Sequence, residues 1–268
     1  IGGSVRKMFE SKDEMEKKAT KDVFSIQGGL YNLISGLYQS AGKNRFLFDV
    51  EDLQVKPENN HFGLEFQQHG ESRKIEAKHV VSTIGAYEIP TVFPFLKETE
   101  INNIANLKYA KVVHVAIGFK NWEGHHLEGF GGLAPYIENR DILGALFMSS
   151  FLPKRAPEGG QLLAVFMGGV RREEMYEKSN SELSSILENE MKHMFGLNRF
   201  KPDLLRFNRY QYAIPQYGKE SGKRFETIKK IEERYNGLTI AGNLKGGIGM
   251  ADRIKQASDI AWCLKAQS

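Results

Sequence analysis

Apolar residues recur along this chain with two periods, and the switches between them mark its predicted elements. Leu30, Leu33, Ile34, Leu37 and Tyr38 follow the spacing of a single helical face and predict an amphipathic helix over residues 30–39. Short strand-like runs follow at residues 45–50, 53–57, 61–67 and 73–77, broken by Asn59-Asn60 and by Gly70, which suit turns. Residues 79–84 form an unbroken β-branched run closed by Gly85, the pattern of a strand buried on both faces. Residues 112–119 alternate cleanly, and a strand-rich block covers 144–169. No helical pattern long enough for a crossover separates most of these strands, so they predict an antiparallel or mixed sheet. Helical periodicity returns at 181–195, with Leu183, Ile186, Leu187, Met191 and Met194 on one side. A charged helix at 226–235, a short buried strand at 238–241 and a closing helix at 251–265 complete the pattern. At the front, residues 4–18 are charged and helix-prone up to a break near Thr20, and 24–28 suit an extended entry.

Helix and strand therefore alternate at both ends around a strand-dominated middle, which predicts a mixed α/β and α+β fold of two interleaved domains. A hydrophobic content of 41% and a charged content of 26% over 268 residues supply a core for one large or two ordinary domains and argue against disorder. The net charge of +4 comes from basic residues dispersed among acidic ones. Without a dense basic run interleaved with aromatics, nucleic-acid binding is not expected, while an anionic membrane face or an acidic ligand stays compatible. The single cysteine, Cys263, excludes an internal disulfide and a Cys-rich metal site; inside a predicted helix it suits a small buried apolar side chain. No apolar run reaches the roughly 20 residues that span a bilayer, so the chain is expected to be soluble or peripheral.

The segment with most chemistry in it is Gly242–Gln256, GNLKGGIGMADRIKQ, where a strand passes through glycines into a helix. Glycines let a backbone approach a ligand, and the helix start presents free N–H groups and the positive end of its dipole. A purely structural turn fits the spacing equally well. His114, His125, His126 and His193 are candidates by residue type alone; His125-His126 falls in a loop without a metal-ligand partner at helical spacing, which favours solvation. No Ser-His-Asp pattern, phosphate-cradling loop with GK[ST], or HExxH helix is present, and no metal site is expected.

GNLKGGIGMADRIKQ resembles the C-terminal flavin-binding signature of the protoporphyrinogen oxidases, within the flavin amine oxidase-like superfamily. FSIQGGLYNLISGL from Phe24, HVVSTIGAYEIP from His79 and YQYAIPQY from Tyr210 resemble the same family in the same order, with Gly85 where proline is usual; GFGGLAP and RAPEGG are weaker matches between them. The resemblance implies a partial FAD-binding, Rossmann-like domain interleaved with a substrate-binding domain on a mixed or antiparallel sheet. Residues 1–20 would end a helical substrate-domain segment, 21–90 and 216–268 belong to the FAD-binding domain, and 91–215 form the substrate-binding domain. It places Val50, Thr83, Ile84, Gly85, Tyr210, Gly242, Gly249 and Met250 along FAD, and Leu133, Phe166 and Met167 along the substrate pocket. The implied reaction oxidises protoporphyrinogen IX in haem synthesis, with FAD carrying the chemistry, no catalytic side chain, and oxygen or another acceptor taking the electrons. Coproporphyrinogen III oxidation, another amine oxidase-like oxidase or desaturase, and a non-catalytic binding or dimerisation fragment are the alternatives. The family's opening GxGxxG unit has no counterpart here, so the isolated 268 residues are expected to be inactive. Gly129, Gly131 and Ala134 match GxGxxA, but Pro135 forbids the helix that must follow. A cytoplasmic protein, with contact at the membrane's inner face and a homodimer both left open, fits these expectations.

Overall fold

A computed structural model describes residues 25–267 of the chain; the helix-prone segment 4–18, the break near Thr20 and Phe24 lie outside the described residues. The chain divides into two units, Ile1–Leu47 and Phe48–Ser268. In the first, Gly28 and Gly29 take φ of 80° and 107°, and a Cβ on Gly28 would come within 2.4 Å of the Asn32 side chain, which itself donates to the Gln27 carbonyl at 2.8 Å. Glycine is thus required for the turn that starts helix α1, Tyr31–Ala41. Gly42 ends that helix at φ 90°, and Lys43–Arg45 form a single 3₁₀ turn. The strand expected at 45–50 does not form: Arg45 closes the 3₁₀ turn, Asp49 sits at φ 55°, and pairing begins only at Val50.

The second unit holds three sheets. Strands β1 (Val50–Glu58), β2 (His61–Gln68) and β3 (Glu71–Ala77) form an antiparallel meander turned at Asn59-Asn60 and His69-Gly70. Strand β4 (Val80–Ser82) pairs in parallel with β10 (Leu238–Ile240). Between them in sequence, β5 (Tyr109–Phe119), β6 (Gly131–Leu133), β7 (Gly144–Leu146), β8 (Gln161–Gly168) and β9 (Leu204–Pro215) build an antiparallel sheet in the order β6-β7-β8-β5-β9. The helices are α2 (Ile89–Val92), α3 (Glu98–Ala105), α4 (Met148–Phe151), α5 (Glu174–Glu177), α6 (Asn180–Phe195), α7 (Ser221–Arg234) and α8 (Met250–Gln267). This is the mixed architecture the alternation predicted. Among the described residues no helix is long and apolar enough to cross a membrane.

Two apolar clusters form in this unit. Val113, Val115 and Ile117 of β5 and Leu163, Val165 and Met167 of β8 pack on Leu183, Leu187 and Met191 of α6, all fully buried. Each such side chain contributes about 1.5–3 kcal/mol by leaving water. A Ser179 cap with Glu182 starts α6, and Gly196 ends it in the left-handed region. The second cluster joins Ile89, Phe93 and Ile104 to Ile228 and Ile231 of α7 and to Leu238 and Ile240. Residues far apart in sequence thus close around the inserted middle sheet.

Helix α3, missed in the sequence because its residues are mostly polar, is tied to α7 by Arg234 donating to Glu100 at 2.7 Å. That hydrogen bond, then the Lys97 backbone N–H, holds the Glu100 carboxyl below the usual Glu range. A carboxyl lowered on folding contributes stability above its unfolded pKa and loses it as pH falls through its folded value. Glu100→Gln should therefore lower the melting temperature at neutral pH, with the two proteins converging in acid; a constant gap across pH would contradict this.

Two further expectations are corrected. Strand β4 is not buried on both faces: Val81 is 38% exposed, because an open cleft separates its outer side from α8. Cys263 is exposed, because the face of α8 turned toward the rest of the unit carries Arg253, Gln256, Ile260 and Leu264, and Cys263 lies off that line.

Candidate active site

The glycine turn after β10 is held almost entirely by side chains. Gly242 sits at φ 79°, and a Cβ there would lie 2.9 Å from the Thr83 carbonyl oxygen, so the turn rests directly on the end of β4. Arg253, in the first turn of α8, donates to the carbonyls of Gly242 and, at 3.1 Å, of Lys245. Gln256, one helical turn on, accepts from the Gly242 N–H at 2.9 Å. The Tyr217 hydroxyl donates to the Asn243 carbonyl at 2.6 Å, and the buried Arg224 donates to that of Leu244 at 3.1 Å. Glu232 accepts from the Ile240 N–H and from Lys245, both at 2.8 Å. Asp252 accepts from the Gly249 N–H at 3.1 Å. Gly242 therefore has a packing reason, whereas Gly246 and Gly249 are exposed beyond it.

Beside this turn lies a cleft of about 500 Å³, walled by Val81 and Thr83 on one side, Gly242 and Asn243 at its end, and α8 on the other. Among the described residues two buried polar atoms have no partner: the Ser82 hydroxyl, which alternation along β4 turns away from the cleft, and Nε of Arg253, which lines it. A buried donor left unmade costs about 1–3 kcal/mol, so this end of the cleft suits a polar ligand.

Three further tyrosines, Tyr109, Tyr87 and Tyr212, extend from the turn. The Tyr109 hydroxyl accepts from the Ala86 N–H at 3.0 Å and donates to Asn243 Oδ1 at 3.2 Å. Burial pushes its phenol pKa up, so it stays a neutral donor. Tyr109 meets Tyr87 edge-on at 5.6 Å, and Tyr87 stacks on Tyr212 with ring centres 3.6 Å apart. Gly85 adopts φ −68° and ψ 157°, a conformation proline would share, yet a Cβ there would lie 2.4 Å from the Tyr87 ring. Glycine in place of the usual proline is what lets Tyr87 fold back onto Tyr212.

The five-stranded sheet has a second face, opposite α6. Successive pairings place Leu133, Gly144, Phe166, His114 and Asn208 in one row across β6, β7, β8, β5 and β9. Tyr210, half exposed, lies one row along, opposite Val112. The face is open: Leu133 is 83% exposed, while Phe166 and His114 are half-buried. Leu133 and Phe166, expected along the substrate pocket, thus share one row, and Tyr210, expected along FAD, lies beside it. Met167 is not with them, since side chains alternate along a strand; it pairs with Val113 and is fully buried against α6.

Among the other expected positions, Thr83 and Gly242 share the cleft wall, Ile84 is half-buried against the α7-side cluster, and Gly249 and Met250 are exposed where α8 begins. Val50 stands apart, opening β1 opposite Gln68 in the meander. His125 and His126 are exposed, and Pro135 leads into a 3₁₀ turn instead of a helix, which removes the GxGxxA match. Sequence reasoning missed Tyr87, Tyr109, Tyr217, Arg224, Arg253, Gln256 and Asn208. Tyr87, Tyr217, Arg253 and Gln256 lay inside the quoted motifs without being singled out, and Tyr109, Arg224 and Asn208 carried no local signal.

The family model described as flavin containing amine oxidoreductase matches residues 5–249, and the chain belongs to that family. Its cofactor is FAD. Among curated relatives, the mitochondrial protoporphyrinogen oxidase of Nicotiana tabacum is 31% identical over 172 residues, covering 63% of this chain and 33% of the relative. The coproporphyrinogen III oxidase of Bacillus subtilis (strain 168) is 24% identical over 159 residues, 58% of this chain and 33% of that one. A crystal structure from Exiguobacterium sp. 255-15, provisionally named a protoporphyrinogen oxidase, superposes with a TM-score of 0.80 at 18% identity, over 94% of this chain and 54% of that one. The chain thus spans about half the length of that solved chain, and less of the two relatives.

Proposed function

We propose that the complete protein is an FAD-dependent oxidase that converts a porphyrinogen to the corresponding porphyrin, with protoporphyrinogen IX as substrate and haem synthesis as the setting. The observation that carries this reading is the cross-strand row from Leu133 through Phe166 and His114 to Asn208, with Tyr210 beside it. A flat apolar macrocycle needs a broad hydrophobic wall with few, placed polar groups, and this face has that character. Thr83, Ile84, Gly85, Tyr210, Gly242, Gly249 and Met250 would hold FAD, with Val50 contributing from the meander. The unpartnered Arg253 Nε on the cleft wall fits a polar cofactor at this end. Bound FAD supplies the hydride acceptor, and oxygen or another acceptor takes the electrons onward. The chain's own part is to hold the turn rigid, present the start of α8 to the charge that reduction creates, and offer the substrate an apolar face. Coproporphyrinogen III is the second substrate to assay, because a relative of that name matches 58% of the chain.

The complete gene product should be yellow, with flavin absorption bands, and should yield fluorescent porphyrin from protoporphyrinogen IX. The 268 residues alone should do neither. A colourless, inactive complete protein would overturn the enzyme reading in favour of a binding or dimerisation module.

A further inference from the structure

His114 is the one imidazole in the row that crosses the open sheet face. It projects from β5 between Phe166 of β8, whose ring centre is 5.3 Å away, and Asn208 of β9. The Asn208 carboxamide meets His114 Nδ1 at 3.3 Å, and among the described residues Nε2 has no protein partner. A carboxamide can serve either tautomer: its nitrogen donates to a bare Nδ1, and, turned over, its oxygen accepts from Nδ1–H. In the second arrangement Nε2 is a free base facing the open side, and the same Nδ1–H bond persists once Nε2 gains a proton. We propose that His114 Nε2 accepts the substrate proton during each oxidation step on this face, with Asn208 as its positioning residue.

The inference rests on the porphyrinogen reading above. In each two-electron step a C–H bond at a bridging carbon breaks and its electron pair leaves as hydride to the oxidised flavin. An N–H bond of the adjoining pyrrole breaks as well, its pair completes the new double bond, and the proton passes to Nε2. The substrate loses one hydride and one proton, and the proton returns to water from His114 before the next step. An apolar wall alone offers that proton no destination.

The imidazole must be neutral to act. Burial alone lowers its pKa from the ordinary value. No charged group opposes that: the same-face neighbours are Val112 and Ala116 on β5, Ala164 and Gly168 on β8, and Arg206 and Tyr210 on β9, of which only exposed Arg206 is charged. Burial therefore favours the neutral imidazole that the step needs.

The test uses the complete gene product with bound FAD and protoporphyrinogen IX. For His114→Gln, kcat should fall by about 100-fold or more with KM within a few-fold, and the acid limb of the kcat–pH profile attributable to this group should disappear. For Asn208→Asp, the new carboxylate stabilises the imidazolium, so that limb should move to higher pH while the plateau rate survives. If wild type turns over and His114→Gln keeps both its rate and its acid limb, the inference is wrong and the porphyrinogen reading stands. An acid limb unmoved in Asn208→Asp, even where His114→Gln fails to fold, also overturns it. A wild type without turnover removes both.

Discussion

Arg253→Ala should release the glycine turn from α8 and leave the complete protein purified with little or no FAD. Arg253 donates to the Gly242 and Lys245 carbonyls and to Gln256 Oε1, so one guanidinium fixes both ends of the turn and the side chain that holds the Gly242 N–H. Hydrogen bonds from a charged donor are worth about 1.5–3 kcal/mol, and the freed carbonyls gain water only if the turn lifts off β4. Roughly 2–3 kcal/mol should be lost, visible as a lower melting temperature in the 268-residue chain and as a reduced ratio of flavin to protein absorbance in the complete one. Arg253→Lys should restore little of either, because an ammonium cannot span carbonyls that a planar fork reaches together. An alanine variant with unchanged melting temperature and full flavin content would show that the clamp is not what shapes the site.

Glu190→Ala should be the more destructive change, and for a reason unrelated to the cofactor. Glu190 lies on α6 with its side chain 7% exposed, and Arg140, 19% exposed, reaches it through two nitrogens at 2.7 and 2.9 Å. Its other oxygen accepts from the Asp141 N–H at 3.2 Å. Removing the carboxylate strands a guanidinium in a place water reaches poorly, which costs roughly 3–5 kcal/mol, or on the order of 10 °C in melting temperature for a domain this size. The loop from Asn139 to Asp141 would lose its hold on the helix, and with it the support of β6 and Leu133. Replacing both partners, Arg140→Met with Glu190→Leu, should recover most of the loss, because neither charge is then left alone. A double variant as unstable as Glu190→Ala would mean that shape and not charge is at stake.

The sequence by itself determined the elements whose faces repeat. Alternation over residues 112–119 and the stripe of Leu183, Leu187 and Met191 were enough to predict β5 and α6, and these became the centre of one core. The strand, glycine and helix order at Leu238–Gln267 was legible too, because apolar periodicity and glycine spacing are local properties. Local patterns could not find α3, whose polar residues hold a helix through Glu100 and Arg234, nor place Arg224, which comes to the turn from α7.

Only the tertiary structure decided which side of the sheet each residue serves. Phe166 and Met167 are chain neighbours of similar size and apolarity, and nothing in composition separates them. Pairing to β5 puts Phe166 beside His114 on the open face and Met167 beside Val113 in the core. The same pairing brought Asn208, 94 residues away, to His114, and the return of β10 to β4 set Gly242 against Thr83. Periodicity fixes that a strand has two faces; which face is covered depends on the helix that packs there, and that contact is made across the whole chain.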